Sequence, residues 1–204
     1  MTYILTILFA SIAIGAINYF FNFAAFDFNA WNIVLVVSVS VVAVIAIDGI
    51  FATLVRRAFP AKWFSVEKEC WAAKKKECVF YEKIGIKKWK EKVIELGCFT
   101  SFRKNKIADP NNNEYVGRYI LEANFGVAIH ITGVILGYLV CLVFPKHWCF
   151  VGLPVGFVNM VLNWLPLMIL RYNLPKLHQL YRINEKRAKR RAAAMESDED
   201  SRSA

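Results

Sequence analysis

A carboxylate and an imidazole, Glu122 and His130, lie within an apolar run that extends from Tyr119 to Phe144. An ionisable side chain inside a bilayer costs about 2.5 kcal/mol or more, so such residues generally face a bundle interior or a water-filled cavity. On a helix, this eight-residue spacing corresponds to about 80° of rotation and about 12 Å of rise. The two side chains share a broad face, one about two turns deeper than the other. The spacing predicts a polar site entered from one membrane surface, with an imidazole base below a carboxylate.

Three further polar side chains, Asp48, Asn159 and Asn163, are expected at a similar depth in two other apolar runs. Counted at 1.5 Å per residue from the basic flanks of these runs, they lie about 12 to 18 Å from the same surface. Asn159 and Asn163 are four residues apart and share a helix face. The five groups form either a functional pocket or a set of contacts that satisfy one another between helices. Spacing alone leaves both interpretations open.

The elements that must hold these side chains are apolar runs long enough to cross a bilayer, which takes about 20 helical residues. The net charge is +10, yet residues 1–55 contain no Lys or Arg, and almost all basic residues lie in 56–118 or from Arg171 onwards. The positive-inside rule therefore places both basic segments and both termini in the cytoplasm of a cell-membrane protein. The first run lacks the features of a cleaved signal peptide and is expected to remain. The runs are Ile4–Phe23, Trp31–Val55, Tyr119–Phe144 and Trp148–Leu170.

The predicted fold is all-α, a multi-pass membrane protein with four transmembrane helices and a cytoplasmic interfacial helical segment between the second and third. Residues 1–55 form an N-terminal transmembrane hairpin and residues 119–182 a C-terminal one. Residues 56–118 form the basic, aromatic-rich interfacial segment. Residues 183–204 form a charged tail, which is expected to extend a helix briefly and then to be disordered.

Two GxxxG patterns, Gly133–Gly137 and Gly152–Gly156, occur at matching depths in the third and fourth runs. Because glycine has no side chain, such patterns allow two helices to approach closely in lipid. They predict a tight antiparallel hairpin. Pro166 removes one helical hydrogen bond and is expected to kink the fourth helix or to expose a carbonyl.

Residues 60–106 interleave aromatic and lysine side chains, a pattern typical of segments that lie at headgroup level and bind anionic lipid. We expect a helix over Val66–Ile84, a break at Gly85 and a second short helix over Ile86–Leu96. Nucleic acid is not expected as a partner, since membrane helices at both ends hold the segment near the bilayer. The lysines either make a lipid-bound scaffold or attract the phosphates of a substrate.

The five cysteines show no metal-ligand spacing, and we predict neither a metal site nor a bound cofactor. Cys70, Cys78 and Cys98 fall in the segment assigned to the reducing cytoplasm, where disulfides are not expected.

Several motifs occur in order within residues 60–182: FYEKIGIKKWK at 80–90, then Phe102–Lys104, Glu122 with His130, Asn163 with Pro166, and Arg171–Asn173. Together they resemble the glycosyl-4,4'-diaponeurosporenoate acyltransferase family, which completes staphyloxanthin-type carotenoids. Its members are small membrane proteins assigned to transfer a fatty acyl group to a sugar hydroxyl of a glycosylated carotenoid. The family places a second Glu five residues after the first, where this chain has Val127.

The resemblance implies an acyltransferase that works on a lipid or glycolipid acceptor, with acyl-CoA as the acyl donor. Acyl transfer needs a base for the hydroxyl proton and donors for the developing oxyanion. Our hypothesis makes His130 the base and Glu122 its partner, bridged by water or by a helix distortion. Asn163 is the expected oxyanion donor. The expected substrate-binding residues are Asn163, Arg171, Tyr172, Asn173, Trp89, Lys90, Tyr81 and, by its position at the cytoplasmic surface, Arg118.

Two other classes remain open from the sequence. One is a non-catalytic membrane module that binds anionic lipid or a protein partner. The other is a different lipid-modifying transferase or reductase with a nucleotide cofactor. A homo-oligomer is compatible with each of these.

Overall fold

The computed structural model describes residues 2–21, 26, 29–93, 107 and 109–203, with side chains described for residues 3–196 of these ranges. Within them the chain is helical and contains no strand, so the all-α prediction is confirmed. The α-helices in these ranges are α1 (Thr2–Phe21), α2 (Ala30–Ala58), α3 (Lys75–Lys83), α4 (Ile86–Trp89), α5 (Asn113–Leu136) and α6 (Leu153–Ser203).

Four of these helices, α1, α2, α5 and α6, are long and apolar enough to cross a membrane, as the sequence predicted. A 3-10 helix, Gly137–Leu142, extends α5, and a π-helical turn, Trp148–Gly152, leads into α6. α6 then runs back along α5, and α2 packs against both. The third apolar span, α5, begins at Asn113 rather than at the predicted Tyr119. The side chain of Asn112 caps this helix by accepting from the backbone N–H of Tyr115 over 3.1 Å.

Of the four apolar clusters among the described residues, the two largest lie at different heights along the helix bundle. One joins α5 to α6 and includes the fully buried Ile120, Val127 and Leu174. The other joins α1 and α2 to the far ends of the α5–α6 hairpin, and includes Val44 and Val155. Along α5 and α6 the residues between these cores are those that carry the predicted polar layer.

The basic segment is less helical than the sequence suggested. The predicted helix over Val66–Ile84 is reduced to α3, because the chain before it is held against α6. There the backbone N–H of Ala73 donates to the carbonyl of Arg171 over 2.9 Å. Gly85 ends α3 as predicted, with φ of +74°, a left-handed conformation that glycine adopts without strain.

The second short helix of this segment, α4, ends at Trp89 and is followed by a turn at residues 90–92. The rest of the helix predicted for Ile86–Leu96 lies outside the described residues. Cys98 and Phe102–Lys104, which were part of the sequence interpretation, also lie outside them.

α6 is one continuous helix across Pro166 and up to Ser203, so the described part of the tail is helical where disorder was predicted beyond a short extension. Residues 185–196 are mostly Ala, Lys, Arg and Glu, which have high helix propensity. Glu185 also pairs with Lys189 one turn later, at 3.1 Å. Pro166 removes the helical donor of the carbonyl four residues before it, and the helix continues past that gap.

Candidate functional site

A polar cluster, formed by Asp48, His130, Asn159 and Asn163, lies where α2, α5 and α6 meet. Nδ1 of His130 is 2.9 Å from Oδ1 of Asn163. The amide nitrogen of Asn163 donates to Oδ2 of Asp48 over 2.8 Å, and that of Asn159 donates to Oδ1 of Asp48 over 3.2 Å. Four of the five side chains predicted to share a layer therefore meet in the structure.

The glycines of α5 make room for the two asparagines of α6. A Cβ added at Gly133 would lie 2.6 Å from the side chain of Asn163, and one at Gly137 would overlap the amide nitrogen of Asn159. The amide of Asn159 also donates to the carbonyl of Gly133 over 3.4 Å. The predicted close hairpin is present, but the α5 glycines serve mainly to admit polar side chains between the helices.

The second glycine pair packs against a different part of the hairpin. Cβ atoms at Gly152 and Gly156 would meet the backbone of Cys141 and the ring of Tyr138, each at less than 3.0 Å. The two GxxxG patterns therefore do not face one another. Each glycine pair instead leaves room for side chains or backbone of the opposite helical arm of the hairpin.

The hydrogen bonds of the polar cluster determine which nitrogen of His130 carries the proton. A carboxylate only accepts hydrogen bonds, so Asp48 orients the N–H groups of Asn163 towards itself. This orientation turns the amide oxygen of Asn163 to His130, whose Nδ1 must then be the N–H donor. The lone pair of the neutral ring is consequently on Nε2, the nitrogen through which His130 can act as a base.

Glu122 is not part of the polar cluster, which corrects its predicted role beside His130. Its carboxylate forms an ion pair of 2.9 Å with Arg56, in the last turn of α2, and about a third of its side chain is exposed. Arg56 also lies over the ring of Phe125, 5.5 Å from its centroid. The eight-residue separation on α5 places Glu122 about 12 Å from His130 along the helix axis. Glu122 pairs directly with Arg56 of α2, whereas His130 reaches Asp48 of α2 through Asn163 of α6.

Asn163 also differs from its expected role as an oxyanion donor. One N–H of its amide points to Asp48, and the amide nitrogen lies 3.2 Å from the carbonyl of Asn159 as well. Both donors are engaged inside the cluster. Asn163 therefore connects Asp48 to His130 by hydrogen bonds.

A second group of predicted residues meets about two turns further along α6, around Arg171; we call Glu77, Tyr81, Arg171 and Tyr172 the Arg171 cluster. Nε and Nη2 of Arg171 each lie 2.7 Å from one carboxylate oxygen of Glu77, a bidentate pair. The hydroxyl of Tyr81 donates to the same carboxylate, and the hydroxyl of Tyr172 donates to Glu82 over 2.7 Å. Both ends of the guanidinium fork thus bind Glu77, and Arg171 anchors the basic segment to α6 instead of offering a free phosphate site.

Contacts in and beside the Arg171 cluster shift the pKa values of Glu77, Tyr81 and Glu82. Its hydrogen bonds lower the pKa of Glu77 from the ordinary value of 4.5 to about 2. Burial, followed by the hydrogen bond to Glu77, raises the pKa of Tyr81. A hydrogen bond from Lys87 and then one from Tyr172 lower the pKa of Glu82. Near neutral pH the two carboxyls are ionised and the Tyr81 phenol is protonated.

The remaining predicted binding residues are not brought into either cluster as polar contacts. Trp89 joins the apolar packing around the tyrosines, and its Nε1 donates to the carbonyl of Ile84 over 3.2 Å. Lys90 and Asn173 are half-buried and Arg118 is exposed. The structure therefore divides the single predicted site into the polar cluster and the Arg171 cluster, about two turns apart on α6.

Two important side chains were missed by the sequence reasoning. Glu77 received no role, because its partner, Arg171, lies 94 positions later in the chain and no local pattern indicates that contact. Asn124 is fully buried, and its amide donates to the carbonyl of Phe64 over 2.9 Å. This hydrogen bond joins the start of the basic segment to α5. The sequence signal for Asn124 was a second polar residue just after Glu122.

The fold and the clusters define a small helical protein with four apolar spans, in which an imidazole is held by a carboxylate–amide network. Residues 60–183, more than half of the chain, match the family model of glycosyl-4,4'-diaponeurosporenoate acyltransferase. The chain belongs to this acyltransferase family, and with it to carotenoid biosynthesis. No curated protein and no solved structure matches the chain significantly. The family match includes His130, Asn159 and Asn163, whereas Asp48 lies before it.

Val127, at the position where the family resemblance expects a second carboxylate, is completely buried. It belongs to the apolar core that α5 forms with Leu167 and Leu170 of α6. A carboxylate at this position would be surrounded by aliphatic side chains. The apolar side chain of Val127 thus fits its apolar surroundings. The carboxylate connected to His130 is instead Asp48 of α2, through Asn163.

Replacing Gly133 with alanine is expected to displace Asn163, because the added Cβ would lie 2.6 Å from its side chain. The polar cluster would lose its geometry, and acyl transfer should fall by about tenfold or more, since small misplacements of catalytic groups have large effects. Gly49→Ala is the matched control, as a Cβ there meets nothing within 4 Å. Equal rates for Gly133→Ala and Gly49→Ala would contradict this role of Gly133.

Replacing Glu77 with glutamine is expected to remove a pH-dependent part of the stability. Because the pKa of Glu77 is lowered to about 2, its ion pair stabilises the fold fully above pH 4.5 and loses this effect as the pH falls towards 2. The loss should be about 1 kcal/mol, since both side chains are partly solvent-exposed. Thermal melts in detergent between these pH values test it, with exposed Glu91→Gln as the control. A wild-type melting curve that changes with pH in the same way as that of Glu77→Gln would refute the assignment.

Proposed function

We propose that the protein is a membrane-embedded acyltransferase that moves a fatty acyl group from a thioester donor, acyl-CoA, to a hydroxyl of a lipid or glycolipid acceptor. The observation that carries the proposal is the hydrogen-bonded series Asp48–Asn163–His130, which leaves the basic lone pair on Nε2 of His130. Membership of an acyltransferase family supports the reaction class. A polar network held at this depth between two apolar cores supports a substrate that is itself largely apolar.

In the proposed reaction, Nε2 of His130 takes the proton of the acceptor hydroxyl while the hydroxyl oxygen attacks the thioester carbonyl. The new C–O bond forms, the C–S bond breaks, and the leaving thiolate takes the proton from Nε2. During this cycle Nδ1–H continues to donate to Asn163. Asp48, through Asn163, holds the ring in place and stabilises the transient imidazolium.

The Arg171 cluster contributes to this function by fixing the interfacial segment on α6. Asn163 and Arg171 are eight residues apart, about 12 Å along the helix. We place the Arg171 cluster at the cytoplasmic surface, with the basic segment against anionic lipid and both termini in the cytoplasm. A donor with a charged head could then remain at the surface while its acyl group reaches the polar cluster.

The test is transfer by the purified protein in lipid nanodiscs. Radiolabelled long-chain acyl-CoA and a glycosylated carotenoid carboxylate are supplied from the cytoplasmic face, and the acylated product is identified by mass spectrometry. We expect a product that depends on protein and acyl-CoA together. If no hydroxyl-bearing lipid or glycolipid is acylated while the protein remains folded, the proposal is wrong.

One observation favours a second candidate, a non-catalytic membrane module. The polar cluster is internally hydrogen-bonded, with Asn159 and Asn163 both donating to Asp48, as helix-pairing contacts would be. A module of this kind would have no acyl-transfer activity, and disrupting the cluster would lower only its stability. The nanodisc assay separates the two candidates.

A further inference from the structure

Three lysines, Lys87, Lys90 and Lys176, lie beside the Arg171 cluster; we call them the lysine cluster. Nζ of Lys176 lies over the ring of Tyr172, 4.2 Å from its centroid. Nζ of Lys87 is 2.8 Å from the oxygen of Glu82 that also accepts from the hydroxyl of Tyr172. Lys90 follows Lys87 by three residues and therefore shares its face of α4. Two helices, α4 and α6, thus place the three lysines near one tyrosine.

The lysine cluster carries more positive charge than its neighbours neutralise. Glu82 pairs with Lys87, whereas Lys90 and Lys176 have no carboxylate partner within the part of the chain that the structure describes. The nearby Arg171 is already matched by Glu77. Three lysines and one carboxylate leave a net charge of +2.

This excess charge is unfavourable in the protein alone. Partial burial, followed by the positive charges of Lys90 and Lys87, lowers the pKa of Lys176 below its ordinary value. The ammonium form of Lys176 is therefore destabilised where it stands. An anion bound between these lysines would reduce their mutual repulsion and favour the charged form.

A phosphate group has the charge and the acceptors that the lysine cluster needs. A phosphate monoester carries a charge of about −1.5 to −2 at neutral pH and three strong acceptor oxygens. Each lysine offers up to three N–H donors and no acceptor, so the cluster can only donate to a ligand. Lys176 lies five residues beyond Arg171, about 8 Å along α6 past the end of its apolar span. Phosphates of amphiphilic molecules lie at about this level of a bilayer.

We propose that the lysine cluster binds a phosphate group of an amphiphilic ligand, either the acyl-CoA donor or an anionic phospholipid. Lys176 is thirteen residues from Asn163, about 20 Å along α6, so the lysine cluster takes no part in proton transfer. The site does not require the acyl-transfer reaction, although the first of its two ligand sources rests on the proposed function. Lys176 takes the phosphate-binding role that the sequence assigned to Arg171, and Lys90 keeps its predicted role.

Protection of the lysines from an amine-acetylating reagent tests the site without turnover. The full-length protein, in a maltoside detergent and phosphate-free buffer, is treated with sulfo-N-hydroxysuccinimide acetate, and the modification rate of each lysine is read by mass spectrometry. One sample receives a long-chain acyl-CoA and another receives phosphatidylglycerol. With a ligand at about ten times its Kd, modification of Lys90 and Lys176 should slow by about tenfold. Lys189, an exposed lysine of α6 that pairs with Glu185, should be unaffected.

The two samples identify the source of the phosphate group. Protection by acyl-CoA alone assigns the lysine cluster to the donor, and protection by phosphatidylglycerol alone assigns it to a membrane lipid. Protection by both makes it a shared phosphate site. If neither ligand protects Lys90 and Lys176 more than Lys189, or if inorganic phosphate alone protects them, the proposal is wrong.

A double variant, Lys90→Gln with Lys176→Gln, tests the contribution of the charges. The Kd of the protecting ligand should rise by about tenfold or more, because hydrogen bonds from charged groups are the strong ones. Lys186→Gln with Lys189→Gln is the matched control, since it removes two exposed lysines from the far end of α6. Equal Kd values in the two double variants would overturn the assignment.

The phosphate site and the acyltransferase reaction fail in different ways. Protection of the lysines without acylation of any acceptor would support the phosphate site and contradict the reaction. Normal acyl transfer without protection would leave the reaction standing and remove the site. If acyl-CoA is the ligand, the Lys90→Gln, Lys176→Gln variant should raise KM for acyl-CoA and leave kcat unchanged, as expected for binding that is equal in the ground and transition states.

Discussion

Replacing His130 with alanine is expected to lower acyl transfer by about 10²- to 10⁴-fold, the usual contribution of a positioned general base. The loss should appear in kcat, because the base acts on the hydroxyl in the transition state rather than in substrate binding. Folding should be preserved, since His130 is not a member of the apolar clusters that hold α5 against α2 and α6. The measurement is the rate of acylated product in nanodiscs, with the melting temperature recorded in parallel.

His147→Ala is the matched control for this substitution. His147 lies in the short connection between α5 and α6, where its ring stacks on Phe26 at 4.2 Å, far from the polar cluster in sequence and height. It should retain full activity. A His130→Ala variant as active as His147→Ala would remove the imidazole from the mechanism and favour the helix-packing interpretation of the cluster.

The sequence predicted the heights of the polar residues better than their partners. Asp48, Asn159, Asn163 and His130 meet because height along a helix follows directly from residue number, at 1.5 Å per residue. Glu122 was grouped with them by the same rule, although it lies two turns from His130. Its actual partner, Arg56, depends on how α2 is rotated about its own axis, and residue counts on α5 carry no information about that rotation.

The Arg171 cluster illustrates a second limit. An arginine at the end of an apolar span is typical of a phosphate or lipid contact. Arg171 was therefore predicted to bind substrate. The structure gives its guanidinium to Glu77, 94 positions earlier in the chain. Such a pair depends on how the segment between α2 and α5 folds back onto α6, and no local periodicity predicts that contact.

The glycine patterns show how a correct packing prediction can have another cause. Gly133 and Gly137 were expected to bring two backbones together, and α5 does pack closely on α6. The space they leave is filled by Asn163 and Asn159, so the same residues also build the candidate site. A GxxxG pattern opposite an NxxxN pattern in an antiparallel hairpin is a signal that sequence reasoning could use directly.

Asp48 connects two parts of the sequence in the polar cluster. Asp48 lies outside the residues that match the family model, whereas its partners Asn163 and His130 lie inside them. If Asp48 only paired helices, its charge would be replaceable by any hydrogen-bonding group. If it sets the tautomer of His130, the carboxylate itself is required, because the two asparagines donate to different oxygens of Asp48 and an amide offers only one oxygen.

Replacing Asp48 with asparagine, whose side chain has nearly the same size and shape, is therefore expected to lower acyl transfer by about 10²- to 10⁴-fold. The new amide would oppose one N–H donor with its own N–H group. We expect Asn163 to rotate, which gives up its hydrogen bonds to Asn159 and turns its N–H towards Nδ1 of His130. The ring proton would move to Nε2, and the base would be lost.

The imidazole nitrogen signals of ¹⁵N-histidine-labelled protein report this change directly, since the chain has only three histidines. We expect the unprotonated signal of His130 to move from Nε2 to Nδ1 in Asp48→Asn, together with the fall in kcat. Asp109→Asn, which removes a carboxylate from an exposed turn, should change neither. A Asp48→Asn variant that loses stability but keeps both the wild-type tautomer and the wild-type rate would show that Asp48 only joins helices. A shifted tautomer with a full rate would show that Nε2 of His130 does not take the proton.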